Sequence, residues 1–188
     1  MPRDADQTKR RIFDAAVAEF AAYGVAGARV DRITRNAGVN NALLYRYFGN
    51  KATLFDTVFS ELSVALVTTV PFTVEDLPGY VERLIKYYAD HPEIVRIAAW
   101  YRLERTSDSP PQPIADSTAA KVKLLRQAQA DGLITDTYPA ATLLEMLLSL
   151  ATTATDLKPP GSSASKRASA LSRRRSATAA VARILSLS

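Results

Sequence analysis

Apolar residues recur at helical spacing along most of the chain. Ile12, Ala16 and Phe20 form one i, i+4 row, and Phe13, Val17 and Ala21 form the row beside it. They predict a first helix that stops at Gly24. Val30, Ile33 and Ala37 share a face of a short second helix, with Gly38 behind it. Asn40 fits the N-cap of a third short helix whose Leu44, Tyr47 and Phe48 lie together. After Gly49-Asn50 a fourth helix is expected from Lys51 to Val70, ended by Pro71.

Beyond Pro71 the periodic segments lengthen. Thr73 is placed to cap a fifth helix, with Glu75 and Asp76 in its first turn, where negative charge complements the macrodipole. That helix reaches Asp90. His91 reads as a turn or capping residue, and Pro92 suits the first turn of a sixth helix running to Arg105. Ser107 to Pro113, with three prolines, reads as a loop. Helices then fit 115–131, 139–156 and 165–187, broken at Gly132 and at Lys158-Pro-Pro-Gly-Ser-Ser. No run alternates with period two, and no hairpin dipeptide joins two strand-like stretches. The expected fold is all-α with about nine helices: a three-helix unit over 1–50 and a helical domain over 51–188.

Composition narrows the function classes. With 47% apolar and 23% charged residues, the 188-residue chain is able to bury a core. It has no cysteine and one histidine, His91. Disulfide scaffolds, thiolate metal sites and His-based triads are therefore not expected. No cofactor, metal or enzymatic activity is expected, since a Gly-rich phosphate loop is missing too. No apolar leader follows Met1 and no unbroken apolar run reaches membrane-spanning length, so the expectation is a soluble cytoplasmic protein without a membrane partner.

The net charge of +5 is segregated. Residues 1–51 carry +4, residues 52–157 carry −6 and residues 158–188 carry +7 with no acid. Basic ends around an acidic middle suggest that one end meets a polyanion.

The chemistry concentrates between Val30 and Phe48. Two helices too short to be stable alone are joined by Gly38-Val39, where glycine supplies the positive φ of a tight turn. Facing away from the expected core are Arg29, Arg32 and Arg35 on the second helix, and Asn40, Asn41, Tyr45 and Arg46 on the third. Such a donor-rich helix pair is suited to the major groove. Lys9, Arg10 and Arg11 lie early in the first helix, where the macrodipole disfavours cations and an external anion such as a DNA phosphate compensates.

Thr8-Lys-Arg-Arg-Ile-Phe-Asp-Ala-Ala, Phe20, Tyr23-Gly24, then Val30, Ile33 and Ala37-Gly-Val39, then Leu44-Tyr-Arg-Tyr-Phe-Gly-Asn-Lys51 together resemble the N-terminal domain of TetR-family transcriptional regulators. The likeness covers residues 7–55 and implies a helix-turn-helix domain followed by a ligand-binding and dimerisation domain. It implies phosphate or base contacts from Tyr45 and Tyr47, a phosphate contact from Lys51 and base contacts from the third helix; Arg10, from the basic cluster of the first helix, and Arg29 are expected to join them on phosphates. Asn40, Asn41, Ala42, Leu43 and Arg46 stand where base-edge or phosphate contacts are made. From chemistry, Asn41 suits adenine, Arg46 guanine and an outward Leu43 a thymine methyl. For Asn40 the cap competes with base reading.

Three positions depart from the family pattern. Ala28 stands where a threonine usually caps the second helix and touches phosphate, so Arg29 is expected to take the phosphate. Thr34 replaces a small alanine in the second helix, and Leu43 a small or hydroxyl residue in the third.

The resemblance further implies a small-molecule effector. Phe72, Tyr87, Trp100, Tyr101, Glu104 and Met146 combine apolar bodies with polar tips, as a pocket needs, although most aromatics of a helical domain are core. Leu143, Leu147 and Leu150 on the eighth helix, apolar nearly all round, fit buried core or a dimer interface; with Leu171, Val181, Ile184 and Leu185 on the last helix they are the expected homodimer interface. The basic segment 158–183 reads as a solvated face or as a partner for the acidic middle. The expected function is a ligand-responsive repressor on a near-palindromic double-stranded DNA operator. The alternative is an effector-independent architectural DNA-binding protein.

Overall fold

The computed structural model describes residues 2–104, 110–155 and 165–186. Among these are nine helices and no strand: α1 (Pro2–Gly27), α2 (Val30–Ala37), α3 (Asn41–Phe48), α4 (Lys51–Thr69), α5 (Leu77–Asp90), α6 (Pro92–Glu104), α7 (Gln112–Ala130), α8 (Ala140–Ala154) and α9 (Ser165–Leu185). The all-α expectation holds. The expected break at 158–163 and the 107–109 part of the expected loop lie outside the described residues.

Three helix boundaries differ from expectation: α7 begins at Gln112 rather than 115, taking Gln112 and Pro113 from the expected loop, and the other two concern α1 and α5. Regular geometry in α1 ends at Gly24 (φ 68°, ψ −172°), as expected, but a short helical turn then carries the chain on to Gly27. The fifth helix begins at Leu77 rather than after Thr73. Asp76 is its N-cap, accepting the Gly79 N–H at 2.9 Å, and Pro78 occupies the first turn without forfeiting a needed donor. At its other end His91 is the C-cap, with its ring 4.4 Å from that of Tyr87.

The chain packs as two compact units. The first takes in Met1–Val64 and Glu93–Gln112, so α6, which the sequence reading assigns to the second domain, belongs with the N-terminal helices. Its core is built from Ile12, Phe13, Ala16, Phe20 and Ala21 of the two predicted rows of α1, with Val17 half-buried at their edge, together with Ile33, Ala37, Leu44, Leu54, Phe55, Val58, Ile94 and Ile97. Phe20 meets Phe55 edge-on at 5.1 Å, and Tyr101 of α6 stacks over Phe55 and tilts against Phe59. Burying each such large side chain is worth roughly 1.5–3 kcal/mol. This is how α2 and α3, unstable alone, are held. By length and composition α4 is apolar enough to cross a membrane. However, its Leu54, Phe55, Val58 and Phe59 are committed to this core.

The second unit takes in Ala65–Pro92 and Pro113–Ser188. Here α5 packs on α8 and α9, and α8 packs on α9. Leu77, Tyr80, Val81, Leu84, Leu125, Leu143, Leu147 and Val181 fill its interior.

Candidate nucleic-acid interface

The turn between α2 and α3 has the expected chemistry. Gly38 lies in the left-handed region (φ 64°, ψ 39°) and Val39 donates to the Thr34 carbonyl at 3.0 Å, closing α2. Asn40 is the N-cap of α3: its Oδ1 accepts the Leu43 N–H at 3.0 Å. Its side chain is therefore used as a cap. Leu44 alone of α3 is fully buried, while Ala42, Tyr45 and Arg46 are exposed and Leu43 and Tyr47 half-buried.

Around this face lies a cationic surface. Lys9 sits over the Tyr47 ring at 5.5 Å and Arg46 approaches the same ring at 5.9 Å. Arg10 pairs with Asp14 at 3.0 Å one turn on, an exposed pair of small energetic weight. The Arg29, Arg35 and Arg46 side chains are exposed, and among the described residues none is in an ion pair. They are available to an outside anion. Lys51 is half-buried and donates to the Ala28 carbonyl at 3.0 Å, tying the start of α4 to the α1–α2 junction.

Arg32 is not part of the outward set. Glu19, on α1, is buried, and its Oε1 accepts from the Arg32 Nε at 2.8 Å and from the Arg29 backbone N–H at 2.8 Å. Arg32 also donates to the Gly27 carbonyl and lies over the Tyr23 ring at 4.3 Å. The Glu19 bond raises the Arg32 guanidinium above its ordinary pKa. The N-cap of α2 is Arg29, whose side chain makes no capping bond. A carboxylate supplied from α1 therefore satisfies a donor at the start of α2. This explains how the helix tolerates Ala28, which is buried where a capping threonine is usual. Sequence reasoning missed Glu19. The signal was there: it follows Ile12 and Ala16 on the buried stripe of α1, and a charge on such a stripe needs a partner.

Asn41 also differs from expectation. Its Nδ2 donates to Asp31 Oδ1 at 2.7 Å, and its Oδ1 accepts from the Thr34 hydroxyl at 2.7 Å. The side chain read as an adenine contact thus has partners on α2. Thr34, a departure from the family pattern, is one of them.

The six effector candidates do not gather in one unit. Trp100, Tyr101 and Glu104 belong to the first, and Phe72, Tyr87 and Met146 to the second. Glu104 accepts the backbone N–H groups of Val25 and Ala26 at 2.7 and 2.9 Å, and Trp100 lies against Gly24. With Tyr101 packed on Phe55 and Phe59, these three fasten α6 to α1 and α4. Phe72 meets Tyr80 edge-on at 4.9 Å inside the second unit, and Met146 is half-buried there. Of the seven interface candidates, Leu143, Leu147 and Val181 are fully buried within the single chain, because α5 covers that side of α8 and α9. Leu171 is 61% exposed, and Leu150, Ile184 and Leu185 are half-buried.

Comparison with known proteins agrees with this geometry. Residues 12–58 match the family model described as bacterial regulatory proteins, tetR family, and residues 76–183 match the model for a tetracyclin repressor-like C-terminal domain. The chain is 42% identical over 151 residues to the HTH-type transcriptional repressor SCO4008 of Streptomyces coelicolor, covering 79% of each protein. It is 29% identical over 146 residues to the HTH-type transcriptional repressor NicS of Pseudomonas putida, covering 71% of this chain and 69% of that one. The crystal structure of the putative transcriptional regulator SCO4942 of Streptomyces coelicolor superposes with a TM-score of 0.78 at 31% identity, over 95% of this chain and 98% of that one. The chain belongs to the TetR family of helix-turn-helix transcriptional regulators.

Proposed function

We propose that this regulator is a homodimeric repressor, bound to a near-palindromic operator through α2 and α3 and released by a small molecule held in its second unit. The observation that carries the DNA half is the set of exposed cations and Tyr45 around a firmly seated α3, with Arg29, Arg35 and Arg46 free of intramolecular ion pairs among the described residues. Arg10, Arg29, Tyr45, Tyr47 and Lys51 supply phosphate contacts, which set affinity and salt dependence. Arg46, Ala42 and Leu43 face base edges, Arg46 suiting guanine and Leu43 a thymine methyl. Two relatives, SCO4008 and NicS, are themselves named repressors, which favours repression over activation.

The dimer interface is assigned to what α8 and α9 leave outside their own core, namely Leu150, Leu171, Ile184 and Leu185. In the dimer each subunit supplies one helix-turn-helix domain for one half-site of the operator. The effector is assigned to the second unit, beside Phe72, Tyr87 and Met146. It acts by favouring the protein state with weaker operator affinity, and its effect is limited by its differential affinity for the two states.

The test is capture of random genomic fragments at physiological salt, followed by sequencing and by titration of the enriched site. An enriched inverted repeat, a two-fold symmetric complex and release by a small molecule are expected. In the same assay Arg46→Ala relaxes sequence preference, whereas Lys51→Ala weakens all sequences alike. Broad, salt-sensitive binding without a motif overturns the repressor reading and leaves an architectural DNA-binding protein.

A further inference from the structure

Asp31 stands in the first turn of α2, Thr34 one turn further on, and Asn41 is the first residue of α3. The Asn41 amide bridges them, Nδ2 to Asp31 and Oδ1 to Thr34, both at 2.7 Å. The orientation of the amide follows from chemistry: an ionised carboxylate only accepts, so Nδ2 must face Asp31 and Oδ1 must face the hydroxyl. The Thr34 proton is shared with the Val30 carbonyl at 3.1 Å, so the Asp31 arm is the more exclusive one.

The bridge matters because α3 has few other attachments. It is eight residues long, held by buried Leu44, by Lys9 of α1 over its Tyr47 ring, by its Asn40 cap and by the Gly38 turn. None of these reaches the start of α2. The Asp31–Asn41 bond is different in kind, because it ties the first turn of α3 to the first turn of α2 across the turn that joins them. Turning Asn41 to an adenine edge gives up that tie and leaves the Asp31 carboxylate, exposed on α2, without its amide partner.

Resting on the operator-binding reading above, we propose that Asn41 governs operator choice indirectly: the Asp31–Asn41–Thr34 bridge sets the seat of α3 on α2, and Asn41 is a positioning residue, not a reader of adenine. Asp31 is then a specificity determinant that touches no base.

The test is selection from a randomised duplex library with the full-length chain and its Asp31→Ala, Asp31→Asn and Asn41→Ala variants. The readout is the ratio of affinities for the selected operator and a scrambled duplex. A ratio is needed because removing the Asp31 charge by itself strengthens binding to any DNA. Losing one hydrogen bond's worth of seating lowers the ratio by about fivefold in Asp31→Ala and in Asn41→Ala alike. The loss is spread over several adjacent base pairs, and the double variant is no worse than either single one. Asp31→Asn keeps the wild-type motif, because its carbonyl still accepts from Nδ2 while the charge is gone. The proposal is overturned if Asn41→Ala loses preference at one base pair only while Asp31→Ala keeps the wild-type motif. A wild-type chain that selects no motif overturns the operator-binding reading and this proposal with it, an outcome recognisable before any variant is tested.

Discussion

The Glu104 carboxylate accepts the Val25 backbone N–H at 2.7 Å, 79 residues away in sequence. It accepts the Ala26 N–H as well, so one side chain of α6 satisfies two donors released where Gly24 interrupts α1. Trp100, one turn earlier on α6, lies against the same glycine. A Cβ placed on Gly24 would stand 2.9 Å from its ring. Gly24 therefore serves two needs at once, a φ of 68° and a close approach by α6.

Gly24→Ala is expected to lower stability by roughly 2–4 kcal/mol, combining backbone strain with overpacking against Trp100. Glu104→Ala removes the Oε2 that accepts from both and is expected to cost about 1–3 kcal/mol, chiefly through the part-buried Val25 N–H. Thermal unfolding of the two variants checks both values. A Gly24→Ala midpoint equal to wild type shows that α6 does not press on the end of α1.

The buried carboxylate of Glu19 leads to a second expectation. Glu19→Ala strands the Arg29 N–H at the start of α2, at about 1–3 kcal/mol, and frees Arg32. Glu19→Gln still accepts from both and is expected to recover most of the loss. Thermal midpoints rank the three proteins as wild type, then Gln, then Ala. Operator affinity follows the same order, because α2 is the support of α3. Equal midpoints for Gln and Ala count against the acceptor role.

These two sites show where sequence reading reaches. The helix-turn-helix was legible because its signals are local: the rows of α1, the Gly38 turn, the Asn40 cap and the apolar faces of two short helices all lie within a few turns of one another. Glu19 was not, because its partners Arg29 and Arg32 come from the next helix and nothing along the chain pairs them. Trp100 and Glu104 have the composition of a pocket, and only packing showed that they fasten the end of α1 instead. Leu143, Leu147 and Val181 look like an interface for the same reason that they are core: a helix apolar nearly all round fits either, and α5 decides between them. Asp76 displaced Thr73 as the cap of α5 because two acceptable caps lay three residues apart, with Pro78 suited to the first turn after the second.

Asp76 makes stability depend on acid. The Arg83 guanidinium at 2.9 Å, and then the Gly79 N–H, hold its carboxyl below the ordinary value of 3.8. A folded-state pKa lower than the unfolded one means that the unfolded chain binds the proton more readily, so this contribution is full above the unfolded pKa and fades as pH falls through the folded one. Asp76→Asn keeps the cap but not the charge. It is expected to flatten the fall in thermal midpoint below pH 4, with the pH 7 midpoint changed little because the pair is exposed. Asp76→Ala loses the cap too, about 1 kcal/mol at every pH. An acid limb of unchanged steepness in Asp76→Asn removes the Arg83 pairing from the account.

Lys121 on α7 is the opposite case. Its ammonium is partly desolvated, 5.8 Å from the centre of the buried Tyr80 ring, and donates to the Ser117 hydroxyl at 2.8 Å. No ion pair engages it among the described residues, and burial lowers its pKa below the ordinary 10.5. Here the charged form is disfavoured in the folded chain, so the unfolded chain holds the proton more tightly and stability rises as pH climbs toward the unfolded pKa. Lys121→Met keeps the length of the side chain beside Tyr80 and removes the desolvated charge. The thermal midpoint at pH 7 is expected to rise by about 2–4 °C, the equivalent of about 1 kcal/mol in a chain of this size. The gain should narrow as pH climbs toward the ordinary lysine value of 10.5, as wild type recovers what its ammonium costs about neutrality. A lower midpoint for Lys121→Met at pH 7 means that the Tyr80 ring and Ser117 more than offset desolvation. Lys121 is then a net stabilising contact between α7 and α5.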